Sequence, residues 1–259
     1  DQVEVITDAE VVERVTTDDP LSFIEDYQAR YQVAELPELP RFYGGLVGYF
    51  GYDTVRYVEK KLRASTPPDT LNTPDILLMV SEDVVVFDNV KGRMHLISLI
   101  DPEIPNIKQL TEEKLQSWVQ KLSRVLPNVA TGQANQRVEE SDFVSEFGED
   151  KFKAAVERIR DYTKTGDVMQ VVLAQRMSIP FNSPSINLYR ALRSLNPSPY
   201  MYFMDLDEFQ IVSSSPEILA RLEAGVVTNR PLAGTRRRGH DDEEDRALEE
   251  ELLADPKEI

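Results

Sequence analysis

Residues 76–99 read ILLMVSEDVVVFDNVKGRMHLISL, and this stretch decides the fold class. Three apolar, β-branched runs, Ile76–Val80, Val84–Asp88 and Met94–Leu99, follow one another across short polar breaks, the pattern of consecutive strands. The break at Asn89–Gly92 carries the residue types of a hairpin turn, so the last two runs pair antiparallel.

Upstream, Val3–Ile6 reads as a strand. Asp19 as N-cap and Pro20 at the first helical position announce a helix with Leu21, Ile24, Tyr27 and Tyr31 on its apolar face. Pro37 and Pro40 end that region. Residues 41–53, RFYGGLVGYFGYD, alternate glycine with aromatic and aliphatic residues. Such a strand permits close backbone approach or a bulge. It matches neither G-x-G-x-x-G nor a P-loop, so no nucleotide site is inferred.

Downstream, a helix is expected over Ile107–Val125, with Ile107, Leu110, Trp118, Leu122 and Val125 as its buried stripe. Trp118 reads as core. From Pro127 to Ser141 the apolar period disappears into Asn, Gln, Thr and Gly, the composition of a connection. A helix then starts near Asp150, with Phe152, Val156, Ile159 and Tyr162 on one face, and Gly166 closes it. A strand over Val168–Met177 and a helix over Ile186–Leu195 follow. Pro199–Asp205 and Phe209–Ser213 read as paired strands, and Ile218–Leu222 and Val226–Asn229 as continuing that sheet. Asp241–Ala254 reads as an acidic helix. Helices and strands mix without strict alternation, which implies an α+β fold, a layered α/β sandwich with largely antiparallel sheets. Two subdomains are expected, 1–126 and 148–259, joined by a linker over 127–147.

Composition excludes several functions. The 259 residues include no cysteine, so disulfides, thiolate zinc sites and cysteine nucleophiles are impossible. That agrees with a cytoplasmic protein. The net charge of −17 repels phosphate backbones and anionic membranes, so neither nucleic acid nor membrane is an expected partner. No apolar run is long enough to span a bilayer, and no signal peptide opens the chain. It does not start with methionine, so a missing N-terminal portion is expected.

Only His95 and His240 are available as imidazoles, and neither has metal-ligand spacing or a triad context. The informative segment is 213–239, SSSPEILARLEAGVVTNRPLAGTRRRG. Glu217, in Ser215-Pro216-Glu217, has two readings. At a strand end facing a cleft, burial raises a glutamate's pKa and makes it a general acid. Alternatively the triplet starts a helix, with serine as cap and proline at N1, which local preferences favour. In Pro231–Thr235, Gly234 permits close backbone approach to a ligand and Thr235 offers a hydroxyl. Arg236–Arg238 suit carboxylates, or form an exposed basic patch balancing the acidic helix that follows.

Taken in order, RFYGGLVGYFGYD, DVMQVVLAQRM, NPSPYMYFM, SPE, PLAGTRRRG and DPKE resemble the chorismate-binding enzymes. That family includes anthranilate, aminodeoxychorismate, isochorismate and salicylate synthases. Members that add water to chorismate carry a lysine base where this chain has Gln170, and an amide cannot deprotonate water. Aminodeoxychorismate synthases resemble P-I-K-G-T, with a nucleophilic lysine where this chain has Ala233. Gln170 with Ala233 is the pattern of the anthranilate synthases.

The resemblance implies a magnesium-dependent lyase of tryptophan biosynthesis that converts chorismate and ammonia to anthranilate and pyruvate. Glu217 matches the general acid, and Gly234, Thr235, Gln170 and Ala233 match substrate-facing positions. Glu258 matches an outer-shell metal glutamate, and magnesium suits such oxygen ligands. With no cysteine to release ammonia from glutamine, the chain is expected to form a hetero-oligomer with a glutamine amidotransferase subunit. Asn196, Pro199, Tyr200 and Met201 match the contacts of a feedback pocket for tryptophan, whose other half, a serine-bearing L-L-E-S segment, is not in this sequence. The direct magnesium ligands, a catalytic histidine and a substrate-carboxylate arginine are expected beyond Ile259. The chain is therefore read as the middle half of a two-domain polypeptide, inactive alone. Rival readings are aminodeoxychorismate synthase component I and a non-catalytic tryptophan-sensing or subunit-docking module.

Overall fold

The computed structural model describes residues 1–125, 138–229 and 234–256. The chain divides into two compact units, Asp1–Asn128 and Val129–Ile259. The fold is α+β, and every strand pair among the described residues is antiparallel.

The first unit opens on a hairpin, β1 (Gln2–Thr7) and β2 (Glu10–Thr16). Asp8 and Ala9 turn it, both at positive φ (52° and 64°). The second strand was not expected, because Asp-Ala stands where Asn-Gly or Asp-Gly would signal a two-residue turn. Helix α1 (Pro20–Gln28) starts as its cap predicts, with the Asp19 carboxylate accepting from the Ser22 amide at 3.1 Å. Strand β3 (Gly45–Phe50) then pairs with β4 (Ile76–Ser81), and the short α2 (Val55–Val58) lies in the connection between them. Here one glycine is demanded by packing: a Cβ on Gly48 would sit 1.9 Å from the Leu77 carbonyl oxygen.

The stretch 76–99 folds as its pattern indicates. Strands β5 (Asp83–Asp88) and β6 (Arg93–Ser98) form the expected hairpin, and the Asp88 carboxylate accepts from the Val90 and Lys91 amides inside the turn. Helix α3 (Ile107–Leu122) packs on β6, with Thr111 and Ile97 buried. Asp83 ties helix to hairpin, accepting from Lys114 Nζ at 2.7 Å and from Ser98 Oγ at 2.6 Å. Burial pushes its carboxyl up, but Lys114 and Ser98 outweigh that and hold it below the usual range. Lys114 also lies 5.6 Å from the centre of the Trp118 ring, which gives Trp118 a packing role.

The second unit holds β7 (Val144–Ser145), α4 (Glu149–Thr165), β8 (Met177–Ser178) and α5 (Ser185–Leu195). These are followed by β9 (Tyr200–Asp205), β10 (Gln210–Ser215), β11 (Arg221–Glu223), β12 (Val226–Thr228) and α6 (Asp242–Leu253). Gly166 closes α4 at φ 83°, as expected. Two expectations are corrected. The strand over Val168–Met177 is not formed: only Met177–Ser178 pairs, with β7, and residues 168–176 are irregular. β-branched residues favour a strand only where a neighbouring strand takes up the backbone groups. The second concerns 218–229, which does not extend the β9–β10 sheet. It folds on itself as β11–β12 around Ala224 and Gly225, both at positive φ.

Among the described residues each sheet has two strands. The chain exposes 21821 Å² of accessible surface. Two separate compact bodies sharing its 29.5 kDa equally would expose about 14000 Å² between them. Large apolar side chains are among the exposed ones: Tyr52, Val90, Met169, Leu195 and Leu219 are each more than four-fifths exposed.

Two outcomes follow. Replacing Gly48 with alanine lowers stability by about 2 kcal/mol, read as a shift of the denaturation midpoint; an unchanged midpoint contradicts the close approach of β3 and β4. The isolated chain binds a hydrophobic dye such as ANS and self-associates at micromolar concentration in analytical ultracentrifugation. A dye-silent monomer contradicts the exposed apolar surface.

Candidate active site

The β9–β10 pair holds Tyr200 and Met201, and the other expected effector residues, Asn196 and Pro199, and Glu217 flank its end. Its register runs from Gln210 opposite Asp205 to Ser215 opposite Tyr200, and it places Met201 opposite Ser214. Helix α5 packs on both strands, with the Tyr189 and Phe203 rings edge to face at 6.2 Å. Phe203 is thus a packing residue, whereas Tyr200 and Tyr202 lie on the exposed face.

The pair ends where prolines intervene. Continuing the register sets Pro199 opposite Pro216, and neither has an amide hydrogen with which to extend the ladder. Side-chain hydroxyls take over. Ser198 Oγ donates to the Ser215 carbonyl, and Ser214 Oγ donates to the Asn196 carbonyl at 2.9 Å. Ser215 Oγ in turn donates to the carbonyl of Glu217 at 3.1 Å. The segment expected to contact tryptophan (Asn196, Pro199, Tyr200, Met201) is thereby bonded directly to the segment bearing Glu217.

Ser215-Pro216-Glu217 does not start a helix. Strand β10 ends at Ser215 and irregular chain leads on to β11, so the capping preferences are overridden by pairing with β9. Glu217 is exposed. The burial expected around it does not come from the neighbouring residues of this chain.

Gly234 and Thr235 begin an extended segment laid along α6. Asp241 caps that helix, accepting from the Glu243 and Glu244 amides, and its acidic first turn suits the positive end of the helix dipole. Arg236 Nε reaches Glu251 at 2.9 Å and its Nη2 reaches Asp255 at 3.2 Å. Arg237 pairs with Glu244, and Arg238 pairs with Asp245 at 2.6 Å. The Gly239 and His240 amides donate to Asp245 and Glu244 at 2.8 Å and 2.7 Å. The guanidinium groups that suit a ligand carboxylate are therefore engaged by the chain's own acids, in the balancing arrangement read from the sequence. Gly239 is fixed by contact too, since a Cβ there would lie 2.2 Å from the Asp245 nitrogen.

Gln170 is exposed in the irregular segment 168–176, outside the β9–β10 pair. Ala233 and Glu258 lie outside the described residues. Among the described residues no group of three or more His, Asp and Glu side chains comes together to hold a metal ion. No helix among them is long and apolar enough to cross a membrane. His95 sits in β6 opposite Val86, and His240 is exposed beside α6. The serine clamp was not foreseen. Its signal was legible in the serines that flank the prolines of NPSPY and SSSPE.

The fold agrees with one class of protein. The family described as chorismate binding enzyme matches residues 2–259, and the chain belongs to that family. Within it, the chain is similar to anthranilate synthase component 1 of Pseudomonas putida, 50% identical over 258 residues that cover 99% of this chain and 52% of that one. The component 1 of Thermus thermophilus is 44% identical, over 95% of this chain and 51% of its own length. Among solved structures, anthranilate synthase component I from Streptococcus pneumoniae superposes with a TM-score of 0.77 at 31% identity, over 99% of this chain and 55% of that one. The chain spans about half the length of the curated relatives it matches.

The ion-pair ladder on α6 is pH-dependent. The Glu244 carboxyl is held below the usual glutamate range, first by the His240 amide and then by Arg237. A depressed acid stabilises the fold above its unfolded-state pKa and loses that contribution as pH falls through the folded value. The amide resonance of His240 therefore shifts on acidification with a midpoint below that of an ordinary glutamate. A midpoint at or above the ordinary value contradicts the bonding of Glu244 to His240 and Arg237.

Proposed function

We propose that this chain is half of the chorismate-using subunit of anthranilate synthase and supplies part of its active site. The observation that carries the reading is the convergence, at the end of β9–β10, of Glu217 with Asn196 and Pro199–Met201. The 44–50% identity to component 1 enzymes over nearly the whole chain supports it.

In the reaction, ammonia attacks the chorismate ring, the ring hydroxyl departs, and pyruvate is then eliminated to leave anthranilate. One water is released for each chorismate consumed. Glu217 is the general acid that protonates the departing oxygen. Gln170 and Ala233 border the ring without competing for it, since an amide is no base and a methyl is no nucleophile. Gly234 permits close approach of backbone to substrate, and the Thr235 hydroxyl bonds to it. Magnesium, which the family resemblance implies, would hold the substrate carboxylate, and Glu258 is this chain's contribution near it. The described residues do not assemble the metal's ligand set, so the steps assigned to this chain run through its own side chains.

Ammonia reaches the subunit from a glutamine amidotransferase partner, a reading supported by the name of the relatives, component 1, which implies a second component. Tryptophan binds at Asn196 and Pro199–Met201, where an aromatic ring, a thioether and carbonyl oxygens suit an indole. A cytoplasmic location follows from that pathway role. A second reading, a tryptophan-sensing or subunit-docking module, draws on the large exposed apolar surface.

The test expresses the sequence within a polypeptide of its relatives' length and follows anthranilate fluorescence with chorismate, ammonium and magnesium. Glu217→Gln lowers kcat by about 10²- to 10⁴-fold with little change in KM. An undiminished kcat rejects Glu217 as the acid. The 259-residue chain alone produces no anthranilate, and turnover by it refutes the claim that essential parts lie outside it.

A further inference from the structure

We propose that Ser198 is a positioning residue for Glu217, acting through the peptide bond between Ser215 and Pro216; this rests on the reading of Glu217 as the acid. A catalytic carboxylate contributes only if its direction is fixed, and displacement by about 1 Å costs on the order of 10²-fold in rate. Glu217 lies beyond the last ladder pair of β10, so main-chain pairing does not fix it. The next pair in register is Pro199 with Pro216, which brings no amide hydrogen from either strand. Counted on in the same register, Ser198 falls opposite Glu217, although neither belongs to the ladder.

The Ser198 hydroxyl stands at this gap and donates to the Ser215 carbonyl, the oxygen of the peptide unit that enters Pro216. That contact is half-buried, whereas the Ser214–Asn196 and Ser215–Glu217 bonds are exposed. Proline fixes φ at residue 216, so with the preceding carbonyl held only ψ of Pro216 and the dihedrals of Glu217 remain, and the bond from Ser215 Oγ to the Glu217 carbonyl spans them. Ser214 Oγ, donating to the Asn196 carbonyl, closes the same seam from the other strand. The contact needs a hydroxyl on a short side chain. Threonine can supply one, and alanine cannot.

The experiment uses the polypeptide at its relatives' length, with Ser198→Ala, Ser198→Thr and Ser214→Ala. Amide hydrogen exchange reads the clamp without reference to activity. Exchange at the ladder amides next to the clamp, in Tyr200–Tyr202 and Ser213–Ser215, rises about tenfold in Ser198→Ala, the loss of one hydrogen bond, and returns toward the parent in Ser198→Thr. Steady-state kinetics with chorismate and ammonium read the consequence. Ser198→Ala lowers kcat by about 10- to 100-fold and changes KM for chorismate by less than about threefold, and Ser198→Thr restores most of kcat. Ser214→Ala has the smaller effect of the two. Unchanged exchange in Ser198→Ala overturns the clamp. Faster exchange with unchanged kcat, or equal impairment by alanine and threonine, overturns the positioning role. If Ser198→Ala does not fold, the comparison of Ser198→Thr and Ser214→Ala with the parent decides, and loss of kcat in the threonine variant overturns the proposal. A parent protein without synthase activity rejects the functional reading, while the exchange data still judge the clamp.

Discussion

The ladder between β9 and β10 has to stop where proline faces proline, and the candidate site depends on that constraint. A strand pair that continued would carry Glu217 into the ladder. Pro199 and Pro216 end the pairing at Ser215, two residues before Glu217, and serine hydroxyls replace the missing amide donors. The carboxylate is left at a sheet end, with its approach held and its side chain free to face a ligand. The same device joins the effector-like segment to the acid, so two sites expected to communicate share a seam of hydrogen bonds.

The second constraint is surface. Six strand pairs, each of two strands, form among the described residues, and few side chains are buried. Isolated two-stranded sheets are marginal in water, and the accessible area is far above what compact bodies of this mass show. The local elements are well specified by caps and turns, as at Asp19, Gly166 and Asp241. What the chain lacks is covering surface. The chain spans about half the length of the curated relatives it matches, and Glu217 and Gln170, proposed to face a substrate, are exposed in it.

Much of this was legible beforehand, for physical reasons that differ by element. The hairpin in 76–99 could be read because its turn residues and apolar runs agree. The helices could be read because caps, proline and glycine mark their ends. The hairpin β1–β2 was missed because Asp8-Ala9 adopts a turn geometry usually signalled by glycine. Val168–Met177 was misread because its composition favours strand while no partner strand pairs with most of it. Ser215-Pro216-Glu217 carries a helix-start signature that pairing with Tyr200 defeats. The identities of Glu217, Gln170, Gly234 and Thr235 came from resemblance to a family. Their geometry came from structure only for Glu217 and for the segment stapled to α6.

The account stands or falls on where the substrate ring lies relative to Glu217. The direct measurement is a crystal structure of the polypeptide at its relatives' length with an unreactive chorismate analogue bound. The account predicts the Glu217 carboxylate ~3 Å from the ring oxygen that departs, with Thr235 at hydrogen-bond distance and Gln170 and Ala233 bordering the ring. An analogue seated away from Glu217, with that carboxylate in solvent, would contradict it.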